Sequence, residues 1–135
     1  MKTENWKTQF RVLIWILLAL FLSLSGAVLA AQEQVVPVVD GHLGQCEADF
    51  TVTDKDDNPI YDAKIDVTFS HGFFRLRKMS LQVGTNSDGK ARVIGLPDKA
   101  KKTFKFIVSF GALSDTVLMD TSEGCKASFN VVLKE

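Results

Sequence analysis

From Cys46 onward the chain alternates. Cys46, Ala48, Phe50 and Val52 are separated by Glu47, Asp49, Thr51 and Thr53, the period-two pattern of a strand with one buried face. The same alternation returns in Ala63–Ser70, Met79–Val83, Ala91–Leu96, Phe104–Phe110, Leu113–Met119 and Cys125–Leu133. Between these runs lie turn signals: Asp54-Lys55-Asp56-Asp57-Asn58-Pro59, Asn86-Ser87-Asp88-Gly89, Gly111 and Thr121-Ser122-Glu123-Gly124. Gly89 supplies the positive φ that such a tight turn favours. About seven strands at roughly 8–12-residue spacing predict an all-β, antiparallel, Ig-like or transthyretin-like sandwich. The expected core is Phe50, Val52, Ile65, Val67, Phe104, Phe106, Val108, Phe129 and Val131.

Ahead of these strands the pattern is different. Lys2, Lys7 and Arg11 against one acid, Glu4, precede 11 residues without a polar side chain, Val12 to Leu22. Ser23-Leu24-Ser25-Gly26 breaks the run, and Ala27 to Ala31 ends it in small residues. This is the layout of a secretory signal, with cleavage after Ala30 or after Ala27. The alternative is an uncleaved anchor, since Val12 to Ala31 spans 20 residues, close to the ~20 needed to cross a bilayer core. The chain thus divides into a signal or anchor over 1–30, a linker over 31–44 with Pro37 and Asp40-Gly41, and the sandwich over 45–135.

Composition adds limits. The 135 residues carry 16 basic and 16 acidic side chains, which argues against a polybasic nucleic-acid binder. The only two cysteines, Cys46 and Cys125, are expected to pair in an oxidising compartment; two free buried thiols are the alternative. Export, periplasmic or extracellular, follows on either reading of the leader, with anchoring by residues 12–31 if it is retained.

A family resemblance rests on two stretches. Phe50-Thr51-Val52-Thr53-Asp54-Lys55-Asp56-Asp57-Asn58-Pro59-Ile60-Tyr61-Asp62-Ala63-Lys64-Ile65 resembles the opening of carboxypeptidase regulatory-like and transthyretin-like domains. Thr85-Asn86-Ser87-Asp88-Gly89-Lys90-Ala91 with Gly95-Leu96-Pro97 resembles their second hallmark. Asp62 stands where such domains usually carry glycine. The resemblance covers about residues 46–133 and implies a β-sandwich accessory or interaction module, usually without catalysis.

Candidate chemistry is sparse. Asp54, Asp56 and Asn58 have the start of an EF-hand spacing, but Pro59 and Ile65 occupy the positions that need Gly and Glu. An acidic β-turn is expected, with a weak cation site as the alternative. His42 and His71 lack an evident third ligand, and Met1, Met79 and Met119 do not cluster, so no metal or cofactor is expected. Ser70 and His71 are neighbours on an alternating strand and point apart, and no nucleophile motif is present. The expectation is therefore not an enzyme.

Phe73-Phe74-Arg75-Leu76-Arg77-Lys78 combines two aromatics, a leucine and three cations in six residues. Either its aromatics plug the core, or Phe73, Phe74, Arg75, Leu76 and Arg77 form an interaction surface, because exposed aromatics with Arg are typical of binding hot spots. The expected function is an exported, non-catalytic accessory or protein-interaction module. The alternatives are an anchored subunit of a membrane complex or a small ligand or metal carrier. Expected partners are a protein, no nucleic acid, and a membrane surface if the leader is retained.

Overall fold

The computed structural model describes residues 4–22, 34–98 and 102–135, with helix side chains from Trp6 to Leu17. The chain divides into two compact units, Met1–Gln32 and Glu33–Glu135. The first contains helix α1, Glu4–Leu22. Among the described residues no helix is long and apolar enough to cross a membrane. The cleavage candidates after Ala27 and Ala30 lie outside the described residues.

The second unit is a sandwich of eight strands: β1 (Val38–Asp40), β2 (Cys46–Asp54), β3 (Lys64–His71), β4 (Arg77–Gly84), β5 (Lys90–Leu96), β6 (Thr103–Phe110), β7 (Leu113–Asp120) and β8 (Lys126–Leu133). One sheet has the order β1-β5-β2-β8 and the other β4-β3-β6-β7. The expected all-β sandwich is present, with one more strand than the alternation reveals. That strand, β1, falls in the stretch read as a linker and adds to the free edge of β5.

Two ladders are parallel, β1 with β5 and β2 with β8, which corrects the expectation of a wholly antiparallel sandwich. The reason is in the connections. β7 ends at Asp120, and Thr121–Cys125 carries the chain across to the other sheet at the end where β2 also begins. β8 and β2 therefore set out in the same direction, in register from Glu47↔Lys126 to Asp54↔Leu133.

Alternation fills the core. β2 buries Cys46, Ala48, Phe50 and Val52, and β6 buries Phe104, Phe106 and Val108. Phe50 and Phe106 meet edge to face with ring centroids 5.0 Å apart, and Phe129 stacks on Phe50 at 5.3 Å. Phe129 is only half-buried, in the first half of β8, whereas Val131 and Leu133 farther along the same strand are buried. The other eight residues of the expected core are buried.

The two ends of the sandwich differ in charge. One end carries the β2–β3 and β4–β5 connections, with Asp54, Asp56, Asp57, Asp62 and Asp88. The chain enters the sandwich here too: Asn86 Nδ2 donates to Val35 O at 3.2 Å, and Arg92 N donates to Pro37 O at 2.9 Å. The opposite end carries the β3–β4 connection, the start of β6 and the β7–β8 connection. Arg75, Arg77, Lys78 and Lys102 cluster on its β3–β4 and β6 side, while Asp98, Asp120 and Glu123 lie at the same end, Asp120 opposite Thr103.

Candidate functional site

The β3–β4 hairpin lies on the cationic side of its end of the sandwich. Its ladder runs to His71↔Arg77, whereas the β3–β6 ladder stops at Val67↔Phe106. Beyond Val67 the hairpin leaves the β6 ladder but stays against the sandwich as far as Ser70: Phe69 is buried with its ring 5.5 Å from that of Phe104, and Ser70 O accepts from Lys102 Nζ. The tip of the hairpin is Gly72 to Leu76.

Local sequence fixes the shape of the tip. Gly72 adopts φ 80° and ψ −172°, a region open essentially to glycine alone. A single 3₁₀ turn follows over Phe73–Arg75, with Arg75 N donating to Gly72 O at 3.1 Å and Leu76 N to Phe73 O at 3.4 Å. Phe74 (φ 56°) and Arg75 (φ 55°) are left-handed, a conformation that costs an L-residue roughly 1–2 kcal/mol. Their side chains are thereby turned outward. Phe73, Phe74 and Leu76 are 83%, 79% and 80% exposed, and the two rings pack edge to face at 4.2 Å. None of the three plugs the core. Arg75, Arg77 and Lys78 adjoin them in sequence, without an acidic partner among the described residues.

Behind the tip, β3 and β6 part beyond their last pair. The gap is a groove lined by Thr68, Ser70, Thr103, Lys102 and Arg75, with Phe69 and Phe104 at its base. Lys102 Nζ crosses it to donate to Ser70 O at 2.9 Å, while Lys102 N donates to Thr121 Oγ1 at 2.9 Å. Sequence reasoning missed Lys102 and Thr103. The basic residues Lys99, Lys101 and Lys102 were the available signal in the sequence, but only the topology brings Lys102 beside Arg75.

The other candidates are held apart. Cys46 and Cys125 are bonded, with Cα atoms 4.4 Å apart, which suits a compartment outside the cytoplasm. Asp54 closes its own turn: Oδ1 accepts from Asp56 N at 2.8 Å and Asn58 N at 3.0 Å, and Oδ2 from Asn58 Nδ2 at 3.1 Å. These bonds, those from Asn58 foremost, hold its carboxyl below the usual range. His42 pairs with Asp40, its Nδ1 3.1 Å from Oδ2, and His71 ends β3 at the hairpin. Among the described residues no three His, Cys, Asp or Glu side chains converge as a metal site would require.

No family model matches this sequence, and no curated protein sequence matches it. Solved structures do. Catechol 1,2-dioxygenase of Acinetobacter radioresistens is 14% identical with a TM-score of 0.50, over 75% of this chain and 59% of that one. Catechol 1,2-dioxygenase of Acinetobacter sp. ADP1, inhibited by bound mercury, is 12% identical with the same score and coverage. This chain thus spans less than two thirds of those enzymes.

The likeness corrects the expectation of a non-catalytic accessory or interaction module, together with its alternatives of an anchored subunit and a small carrier. That expectation took the sandwich as a mark of modules without catalysis, yet catechol 1,2-dioxygenases share this architecture. The expectation that the chain is not an enzyme loses the same support. At this identity the likeness is one of fold, and a fold does not assign an activity.

Proposed function

We propose that the sandwich docks onto a negatively charged membrane surface through the Phe73–Leu76 tip, in a compartment outside the cytoplasm reached by way of the N-terminal leader. The observation that carries this is an exposed apolar cluster, Phe73, Phe74 and Leu76, at the tip of the β3–β4 hairpin, adjoined in sequence by Arg75, Arg77 and Lys78, which have no acidic partner among the described residues. Burying side chains of this kind is worth roughly 1.5–3 kcal/mol each. Each nearby Lys or Arg adds about 1 kcal/mol at an anionic bilayer surface. An exposed apolar cluster adjoined by cations suits a bilayer interface, where apolar groups enter roughly 5–10 Å and charges stay with the headgroups. The Phe50–Ile65 and Thr85–Pro97 stretches support placing the sandwich with the regulatory-like and transthyretin-like domains, as a variant that carries this hairpin tip.

Tryptophan fluorescence tests the docking. The only tryptophans are Trp6 and Trp15, so Phe73→Trp in a Trp6→Phe/Trp15→Phe background gives one indole at the tip. Its emission should shift to the blue with phosphatidylglycerol vesicles and stay unchanged with phosphatidylcholine at moderate salt. No shift with either vesicle would overturn the proposal. So would a shift produced only by a protein fraction, which would make the tip a protein-docking knob.

A further inference from the structure

Resting on the membrane-docking reading, the geometry points to the groove behind the tip as a binding site for the phosphate group of an anionic lipid headgroup. Two cations of different origin meet there, Arg75 from the hairpin and Lys102 from the start of β6. The hydroxyls of Ser70 and Thr103 line the same groove. Guanidinium, ammonium and hydroxyl donors together match the acceptor oxygens of a phosphate. Neither Arg75 nor Lys102 has an acidic partner among the described residues, so an arriving anion displaces none.

Two features make this a formed groove rather than a scatter of surface cations. The backbone of Lys102 is fixed to Thr121 from both sides: Lys102 N donates to Oγ1, and Thr121 Oγ1 and N donate to Lys102 O, at 2.9–3.0 Å. Arg75 is held by the left-handed turn that lets it line the groove while Phe74 is exposed at the tip. The level of the groove also fits. Ser70 lies three residues before Phe73, and its cross-strand partner Lys78 two residues after Leu76, roughly 7–10 Å along the hairpin. When the apolar cluster is inserted by roughly 5–10 Å, lipid phosphates stand at that height. The Lys102 Nζ contact with Ser70 O is then shared with, or given over to, a phosphate oxygen.

The test uses the full chain and two probes. Inorganic phosphate is titrated while amide shifts of Ser70, Arg75, Lys102 and Thr103 are followed by NMR. Phosphatidylglycerol vesicles are titrated with the Phe73→Trp reporter. Saturable shifts confined to those amides are expected, abolished by Lys102→Gln and kept by Lys102→Arg and by Phe74→Ser. On vesicles, Lys102→Gln should weaken binding about fivefold. Absence of phosphate-induced shifts overturns the groove assignment, and docking stands by itself if the blue shift of the Phe73→Trp reporter persists. Phosphate shifts together with unchanged vesicle affinity for Lys102→Gln also overturn it, making the groove a free-phosphate site. Arg75→Gln is the second variant and should act as Lys102→Gln does; normal affinity for phosphate in both folded variants sinks the proposal.

Discussion

Cys46 and Cys125 are bonded at the end of the ladder where β2 and β8 both begin, across 79 residues of sequence. β8 is an edge strand paired only with β2, and β2 lies far back in the chain. The bond holds in place a strand that no hairpin brings to its partner. Closing a loop of this length removes about 4–5 kcal/mol of chain entropy from the unfolded state. A Cys46→Ala/Cys125→Ala variant should lose stability on that order in urea unfolding. A loss under about 1 kcal/mol would mean that β8 holds its register without the bond.

Phe106 is fully buried and touches the rings of both Phe50 and Phe129. Phe106→Ala should cost roughly 3–5 kcal/mol, a large share of the ~5–15 kcal/mol that holds a typical domain. Phe129→Ala should cost less, because half-buried Phe129 leaves a smaller cavity. The reverse order in denaturant midpoints would assign the centre of the core to the wrong strand.

Phe106 was legible because it sits on a period-two stripe, Phe104, Phe106 and Val108, and one buried face writes that period into a strand. The parallel ladders were not legible. Alternation shows which face of β8 is buried but not which strand lies beside it or in which direction. β1 is three residues long, too short for a period. At the tip, Phe74 and Arg75 occupy a conformation that bulky L-residues disfavour, so their local preference pointed away from the structure. Composition marked the loop, but the outward turn of its side chains needed the backbone. The groove was hidden for another reason: Arg75 and Lys102 are 27 residues apart in sequence.

Thr85 supplies the buried polar link between the β2–β3 and β4–β5 connections. Its Oγ1 accepts from Ala63 N at 2.9 Å and donates to Ile60 O at 2.5 Å. Thr85→Val keeps the shape and strands a buried N–H and C=O, which costs roughly 1–3 kcal/mol. Thr85→Ser keeps the hydroxyl and should lose clearly less. Equal losses in thermal unfolding would show that the methyl group, not the hydroxyl, is what Thr85 contributes.

Asp54 should titrate below an ordinary aspartate, since Asn58 donates to it from backbone and side chain. A folded-state value below the unfolded one, about 3.9, fixes the sign. Its contribution to stability is present above that pH and is lost as the pH falls through the lowered folded value. Asn58→Ala removes the side-chain donor and should move the Asp54 carboxyl upward in a carbon-detected NMR titration. An unmoved titration would leave the backbone donors as the whole cause.

The tip is where stability and docking should part. Phe74 is 79% exposed and left-handed at φ 56°, so it contributes little packing and carries strain of roughly 1–2 kcal/mol. Asparagine tolerates that conformation better than phenylalanine. Phe74→Asn should therefore raise the urea midpoint modestly, by up to about 1 kcal/mol of stability. The same change removes an apolar anchor worth roughly 1.5–3 kcal/mol on burial, so affinity for phosphatidylglycerol vesicles should fall about tenfold or more. Both measurements are needed. A purely structural tip would lose stability with the aromatic ring, and a solvated spare loop would lose neither stability nor affinity. Only a side chain held out for a partner gives a more stable protein that binds less.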